Sequence, residues 1–136
     1  MTVFVIDSSA MLRHIDGEAG ADRVESIIQT SLRGGGEIQL SAMQWGEIAG
    51  MLRKRAGAHE QKKLLQHLLE INFHVVAATA ERAVRAAEIK VDRKLPYADA
   101  FALDLAMDSA DHVLVTADYD FKAVADLARI EFLPAK

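Results

Sequence analysis

Short apolar runs alternate along the chain with longer segments whose apolar residues recur every three or four positions. The short runs predict β-strands at residues 3–6, 37–40, 73–76, 113–115 and 129–133. The first run is continuously apolar, which is typical of a strand that is buried on both faces of a parallel sheet.

The segments between these runs predict amphipathic helices. The apolar stripe that precedes the second strand consists of Ala21, Val24, Ile27, Ile28 and Leu32. Three glycines at positions 34–36 end that helix. After the second strand we expect one helix from Met43 to Gly57 and another over residues 60–70. Thr79 caps a further helix, Pro96 precedes one at 97–108, and a short closing helix starts at Phe121.

Strands that alternate with helices predict an α/β fold in which a parallel sheet is covered on both faces. The chain has 136 residues, of which 51% are hydrophobic, and this is enough for one core. No repeat, low-complexity tract or linker divides it, so we expect a single domain over residues 1–136.

Charge and cysteine content exclude several classes of function. The net charge of -4 argues against a protein that coats nucleic acid through bulk electrostatics. The absence of cysteine excludes disulfides, thiolate metal sites and a cysteine nucleophile, and it indicates a cytoplasmic protein. No apolar run approaches the roughly 20 residues that span a bilayer, so no membrane anchor is expected.

One local basic cluster stands out against this acidic background. It comprises Arg53, Lys54, Arg55, Lys62 and Lys63, with Glu60 as the one acid within the segment. It is either a solvated corner between two helices or a surface that contacts phosphates.

Four acidic residues lie at structural junctions that are far apart in the sequence. They are Asp7 after the first strand, Glu47 on the helix after the second, Asp99 at the start of a later helix, and Asp118 after the fourth strand. Ligands of open α/β sheets gather at the carboxyl ends of the strands, where the strand order reverses. Carboxylates that converge there repel one another unless a cation is bound. The pattern therefore predicts a divalent-metal site.

Each of these acids also has an ordinary structural interpretation. Asp7 can cap the following helix, and Asp99 can interact with a helix dipole at its first turn. Asp118 and Asp120 can be turn residues, with Asp120 as a helix cap. Glu47 can lie at the edge of a buried stripe with its carboxylate in water, although no lysine or arginine stands three or four residues away from it.

Two acids are left out of the predicted site. Asp104 lies five residues after Asp99 and therefore about 140° around the same helix. Asp108 shares that outer face, and we expect both to be solvated. The five histidines show no zinc-ligand spacing, so hard oxygen ligands favour Mg²⁺ or Mn²⁺. In this interpretation Asp7, Asp99 and Asp118 bind the metal directly or through water, and Glu47 holds a second metal or a coordinated water.

Four ordered motifs, VIDSSAML, WGEIAGML, LPYADAFALDLA and LVTADYDF, span the chain. Together they resemble the PIN-domain ribonucleases, and most closely the VapC-type toxins of toxin–antitoxin pairs. The resemblance implies a PIN-like three-layer α/β/α fold with a central, mainly parallel sheet of four to five short strands. It also implies an endoribonuclease in which Asp7, Glu47, Asp99 and Asp118 hold Mg²⁺ or Mn²⁺.

The resemblance extends to supporting residues and partners. Ser8, Thr116 and Asp120 would support the site. The expected partners are an RNA substrate such as transfer RNA, a small VapB-like antitoxin, and a second copy in a homodimer. The residues expected to bring RNA to the acidic site are Arg13, Arg53, Lys54, Arg55, Lys62 and Lys63. The candidates for lining an antitoxin groove are Leu12, Ile28, Trp45 and Met51, with core packing as the alternative for Trp45.

Four other functions compete with this interpretation. A catalytically silent PIN-like domain could bind RNA or act as a scaffold. A haloacid-dehalogenase-like phosphatase needs an Asp where Ser9 stands, and a receiver domain needs a phosphoryl-accepting Asp where Ala77 and Ala78 stand. A nucleotide-binding domain is disfavoured because no glycine-rich phosphate loop follows a strand.

Overall fold

The computed structural model of the protein describes residues 1–136, and it has a five-stranded sheet at its centre. The strands are β1 (Thr2–Ile6), β2 (Gly36–Ser41), β3 (Phe73–Val76), β4 (His112–Thr116) and β5 (Ile130–Phe132). Their order is β3-β2-β1-β4-β5, and every neighbouring pair is parallel. The predicted α/β class and central parallel sheet are therefore confirmed.

Five α-helices and one 3₁₀ helix connect the strands. They are α1 (Ser8–Asp16), α2 (Ala21–Leu32), α3 (Ala42–Glu70), α4 (Ala80–Arg93), α5 (Tyr97–Ala106) and the 3₁₀ helix Tyr119–Val124. No helix combines the length and the apolar character needed to cross a bilayer.

Alternate residues of the strands point to opposite faces of the sheet and build two cores. Ile6 and Val115 pack with buried residues of α1, α2 and α3, whereas Val5 and Leu114 pack with α5 and the 3₁₀ helix. Helix α4 packs outside α5 through a small cluster around Ala86. This gives the three layers, helices on both faces of a sheet, that the alternating pattern predicts.

The helices add one element to the prediction and confirm one predicted break. The first crossover contains α1 as well as the predicted stripe of α2, because Gly17 ends α1 in a left-handed conformation with a φ of 64°. Residues 42–70, named α3, consist of two helical segments divided at Gly57, which agrees with the two helices that were predicted. Gly57 makes the kink with φ 82° and ψ 177°, a conformation that is open essentially only to glycine.

The expectation that Asp104 is solvated is wrong. Its carboxylate is buried and accepts from Arg82 Nη1 at 3.0 Å and from Arg85 Nε at 2.7 Å. Asp108 is exposed, as expected, but it also binds Arg82. The rotation of Asp104 away from Asp99 directs it towards α4 rather than into water, and the two arginines of α4 neutralise it.

Candidate active site

Asp7 lies at the point where strand order reverses, between β1 and β4. It follows β1 directly and is buried, with 1% of its surface exposed. One carboxylate oxygen accepts from the backbone N–H of Ala10 at 2.9 Å and from Ser9 Oγ at 2.7 Å. The other accepts from Thr116 Oγ1 at 2.6 Å. Asp7 is thus the cap of α1 and, at the same time, part of a network that joins β1 to β4.

Hydroxyl groups extend this network to the segment that carries Asp118. Thr116 Oγ1 accepts from the N–H of Asp118 at 2.9 Å, and Ser9 Oγ accepts from the N–H of Ala117 at 2.9 Å. The two hydroxyls are themselves 3.2 Å apart. Thr116 and Ser9 are therefore both part of the hydrogen-bond network around Asp7, and sequence reasoning assigned Ser9 no role there.

The buried position of Asp7 makes its ionised form costly. Burial raises the pKa of Asp7 from 3.8 to about 6, although hydrogen bonds from Thr116, Ala10 and Ser9 oppose the rise. The negative charge of Asp99 adds to the increase in pKa. Asp7 and Asp99 thus share one electrostatic environment, although they are far apart in sequence.

Asp99 occupies the first turn of α5 and is half-buried. Burial raises its pKa from 3.8 to about 6, a hydrogen bond from Gln44 opposes the rise, and the charges of Asp118, Glu47 and Asp120 add to it. The charges of the four predicted ligands are therefore coupled, since Asp99 acts on Asp7 while Glu47 and Asp118 act on Asp99; the region they occupy is called the acidic cleft below.

Glu47 and Asp118 border this cleft on the solvent side. Glu47 is exposed on the second turn of α3 and accepts from Ser8 Oγ at 3.1 Å, which agrees with a supporting role for Ser8. Asp118 accepts from the N–H of Asp120 at 2.9 Å and so caps the 3₁₀ helix. The alternative in which Asp120 is the cap is therefore wrong. Asp120 is exposed and acts on Asp99 through its charge.

Gln44 is the main residue of this region that the sequence reasoning missed. It is fully buried on the first turn of α3, three residues before Glu47. Its Oε1 accepts from the N–H of Ser8 at 2.6 Å, and its Nε2 donates to the carbonyl of Ala98 at 2.8 Å and to Asp99 Oδ1 at 3.3 Å. Its spacing in the sequence could have revealed this position. Gln44 lies four residues before the apolar Ile48 and therefore on the same, core-facing side of the helix.

A groove of about 680 Å³ runs from Glu47 along α3 and is lined by Gly50, Met51, Lys54 and Arg55. Lys54 is exposed and forms no ion pair, whereas Arg55 binds Asp16 at 2.9 Å. A basic surface therefore adjoins one of the site carboxylates.

The other predicted basic residues have different surroundings. Arg13 is half-buried and donates to the carbonyls of Ala19 and Pro134, both at 2.7 Å, so it ties the chain end to the first crossover. Beyond the kink of α3, Lys62 and Lys63 are exposed and line a second depression.

Arg53 and the four groove candidates also have defined places. Arg53 donates to Gln61 at 3.4 Å. Among the apolar candidates for an antitoxin groove, Ile28 belongs to the core and is therefore excluded from a surface groove. Trp45 packs against the same core, as its alternative interpretation held. Leu12 and Met51 are half-buried, and Met51 lines the groove beside Glu47.

The donors of this site are carboxylate, hydroxyl and amide oxygens, which suit a hard divalent cation. In this structure both carboxylate oxygens of Asp7 accept hydrogen bonds from protein groups. No three His, Cys, Asp or Glu side chains are gathered closely enough to form a ready set of metal ligands. The oxygen groups of this site thus match Mg²⁺ or Mn²⁺ in their chemistry, whereas their spacing in this structure does not form a closed set of ligands.

The fold and the site define an α/β protein with an acidic cleft at the carboxyl edge of a parallel sheet. The sequence model of the PIN domain family matches residues 4–127. The chain belongs to the PIN domain family, as the four motifs indicated. Comparison with the curated proteins gave no match.

Solved structures share the fold at low sequence identity. A chain of VapBC2 from Rickettsia felis, bound to a DNA fragment from its promoter, is 15% identical with a TM-score of 0.73, covering 98% of this chain and 100% of that chain. VapC20 from Mycobacterium tuberculosis, a Sarcin-Ricin loop cleaving toxin, is 20% identical with a TM-score of 0.72 and coverage of 96% and 99%. A chain of VapBC-1 from nontypeable Haemophilus influenzae is 13% identical with a TM-score of 0.70, covering 96% and 98%. The resemblance to VapC-type toxins is thus confirmed in the fold.

Proposed function

We propose that this protein is a divalent-metal-dependent endoribonuclease and the toxin of a toxin–antitoxin pair. The observation that carries the proposal is the pair of acids, Asp7 and Asp99, whose pKa values are both raised to about 6 at the carboxyl edge of the sheet. Carboxyl groups whose pKa values are shifted by burial and by one another's charge are typical of catalytic and metal-binding sites. Membership of the PIN family supports the same assignment.

In this proposal Asp7, Asp99 and Asp118 hold the cation, and Glu47 orients the attacking water or holds a second cation. A bound Mg²⁺ or Mn²⁺ would supply Lewis-acid stabilisation of the charge that develops on the phosphate and the leaving oxygen. Thr116 favours the ionised form of Asp7 by donating to it, against the larger cost of burial, and Ser8 donates to the carboxylate of Glu47. Asp120 adds negative charge near Asp99.

The proposed substrate is RNA, with transfer RNA as one candidate. Its backbone would follow the groove from Glu47 to Lys54, because exposed lysine supplies the positive charge that an acidic cleft lacks. Arg55, Lys62 and Lys63 extend the basic surface along α3. The absence of cysteine fits action in the reducing cytoplasm.

The proposed partners are a VapB-like antitoxin and a second copy of the chain. Their support is the fold shared with chains of VapBC complexes. Co-expression with a small protein encoded beside this chain, followed by pull-down, tests the first partner. Recovery of the chain alone would contradict it.

The proposal is tested by titrating Mg²⁺ or Mn²⁺ into the purified protein with total cellular RNA as substrate. We expect cleavage that requires the cation, stops with chelator and is lost in Glu47→Gln. The matched control is Glu60→Gln, which removes an exposed carboxylate from the same helix beyond the kink and should cleave like the parent. RNA binding without cleavage at any cation concentration would instead identify a catalytically silent domain.

A further inference from the structure

Gln44 is a fully buried amide that no step of the proposed function uses. A buried side-chain amide must pair both its oxygen and its nitrogen, because an unpaired polar group costs about 1–3 kcal/mol. Gln44 satisfies this requirement with three hydrogen bonds, to the N–H of Ser8, the carbonyl of Ala98 and the carboxylate of Asp99. All three partners adjoin predicted ligands or belong to them.

The three bonds join three separate elements. Ser8 begins α1 directly after Asp7, Ala98 and Asp99 form the first turn of α5, and Gln44 itself lies on α3. The amide can take only one orientation here. Rotating it by 180° would set its NH₂ against the N–H of Ser8 and its oxygen against the carbonyl of Ala98. The amide therefore defines the spacing between the start of α1 and the start of α5.

Asp99 depends on this amide for its orientation. The hydrogen bond from Gln44 is the one hydrogen bond that its carboxylate accepts, while Asp118, Glu47 and Asp120 all repel it. Asp7, by contrast, is held by three donors of its own. Without the amide, the Asp99 carboxylate would be free to turn away from the other acids.

We propose that Gln44 is a positioning residue of the candidate active site, whose amide holds the Asp99 carboxylate at a fixed distance from the segment that begins at Asp7. The inference rests on the proposed function and deepens it, because it makes cation binding depend on a residue that does not itself bind the cation. Partners that orient ligands in this way typically change metal affinity 10- to 100-fold when they are removed.

The test compares Gln44→Met with the parent by calorimetric titration of Mn²⁺ alone into the protein, and by RNA cleavage. Methionine keeps the approximate volume and removes every hydrogen bond. We expect Mn²⁺ affinity to fall about 10- to 100-fold. At saturating Mn²⁺, kcat should fall while the KM for RNA stays within a factor of about two, since the basic groove is unchanged.

The matched control is Gln39→Met, which removes a half-buried glutamine of β2 whose buried Oε1 has no hydrogen-bond partner. It should bind Mn²⁺ and cleave RNA like the parent. Urea unfolding reports whether each variant is folded. If Gln44→Met does not fold, Gln44→Asn carries the same test, because it keeps an amide that is one methylene too short to join all three partners.

The outcomes separate this inference from the proposed function. A folded Gln44 variant with parental Mn²⁺ affinity and kcat overturns the positioning role, while cleavage by the parent leaves the proposed function standing. A parent that neither binds Mn²⁺ nor cleaves RNA overturns both. Weakened Mn²⁺ binding in the Gln44 variant, with the Gln39 control unchanged, supports the positioning role.

Discussion

Replacing Asp7 with asparagine should make the metal-free protein more stable while it abolishes cleavage. The substitution removes a charge that is buried at the junction of β1 and β4. The hydrogen bonds can survive, because the asparagine Oδ1 still accepts from Ala10 and Ser9, and its Nδ2 can donate to Thr116 Oγ1. Thr116 can then donate to Ser9, whose Oγ lies 3.2 Å away. The variant thus keeps the cap of α1 and loses the charge.

The size and sign of the effect follow from the pKa of Asp7. Its value in the folded protein is about 6, against 3.8 ordinarily. Folding is therefore favoured by the protonated form. The stabilisation that protonated Asp7 gives to the folded state is complete below about pH 4 and is lost as pH rises through 6. The cost of ionisation above pH 6 is about 3 kcal/mol, at about 1.4 kcal/mol per pKa unit. Asparagine avoids this cost, which corresponds to a rise in Tm of roughly 10 °C for a domain of this size.

The assay is urea unfolding in the presence of EDTA at pH 4 and at pH 7.5, for the parent and for Asp7→Asn. We expect the two proteins to have similar stability at pH 4, where Asp7 is mostly protonated. At pH 7.5 the variant should be more stable by up to about 3 kcal/mol. The control is Asp92→Asn, which changes an exposed aspartate of α4 and should not alter stability at either pH.

The reasoning is refuted if Asp7→Asn is less stable than the parent by the same amount at both pH values. That result would mean that Asp7 serves only as the cap of α1. Loss of metal-dependent cleavage without a pH-dependent gain in stability would show that the electrostatic cost of Asp7 has been overstated.

Three further predictions concern residues outside the acidic cleft. Asp104→Asn should destabilise the fold by about 1.5–3 kcal/mol in urea unfolding, because it removes the buried charge that pairs with Arg82 and Arg85 while Asp108 still pairs with Arg82, and full stability would contradict this. Lys54→Ala should lower RNA affinity and reduce the salt dependence of binding by about one unit of slope, whereas Lys90→Ala on α4 should change neither. Gly57→Ala should lower the free energy of unfolding by about 1–3 kcal/mol, because φ 82° and ψ 177° strain any residue with a Cβ. An unchanged urea midpoint would show that the backbone at the kink relaxes without cost.

The bounds of the strands were predicted to within a residue or two, because each buried strand is a short continuous run of mostly apolar residues in the sequence. Residues 73–76 were predicted and observed as β3, and Val113 lies inside the observed β4. Helix α1 was predicted only as the helix that Asp7 could cap, and its extent was missed because only Ala10 and Met11 of its nine residues are buried, which is too short a stripe to recognise. A helix can be recognised from the spacing of its apolar residues only when several of them recur along one face. The two buried residues of α1 are adjacent and show no such recurrence.

The position of the site was predictable, and its internal contacts were not. Asp7 and Asp118 each follow a strand, so the neighbouring positions of β1 and β4 suffice to bring their segments together. Whether Ser8 or Ser9 reaches Thr116 depends on the rotation of α1 against β4. Whether Asp104 faces water or the arginines of α4 likewise depends on how α4 packs against α5. Such details are set by packing between distant segments and leave no periodic signal in the sequence.

The acids of this cleft cannot relieve their repulsion by moving apart, and this is the physical basis for expecting a cation there. The backbone at Asp7 is fixed by β1 and by its contacts with β4. The start of α5, which carries Asp99, is tied to α3 through Gln44. Burial is the main cause of both raised pKa values and repulsion adds to it, so the remaining ways to lower the energy are proton uptake and binding of a cation. At neutral pH, above both pKa values, protons no longer compensate the charge, so a divalent cation should stabilise the folded protein most strongly there.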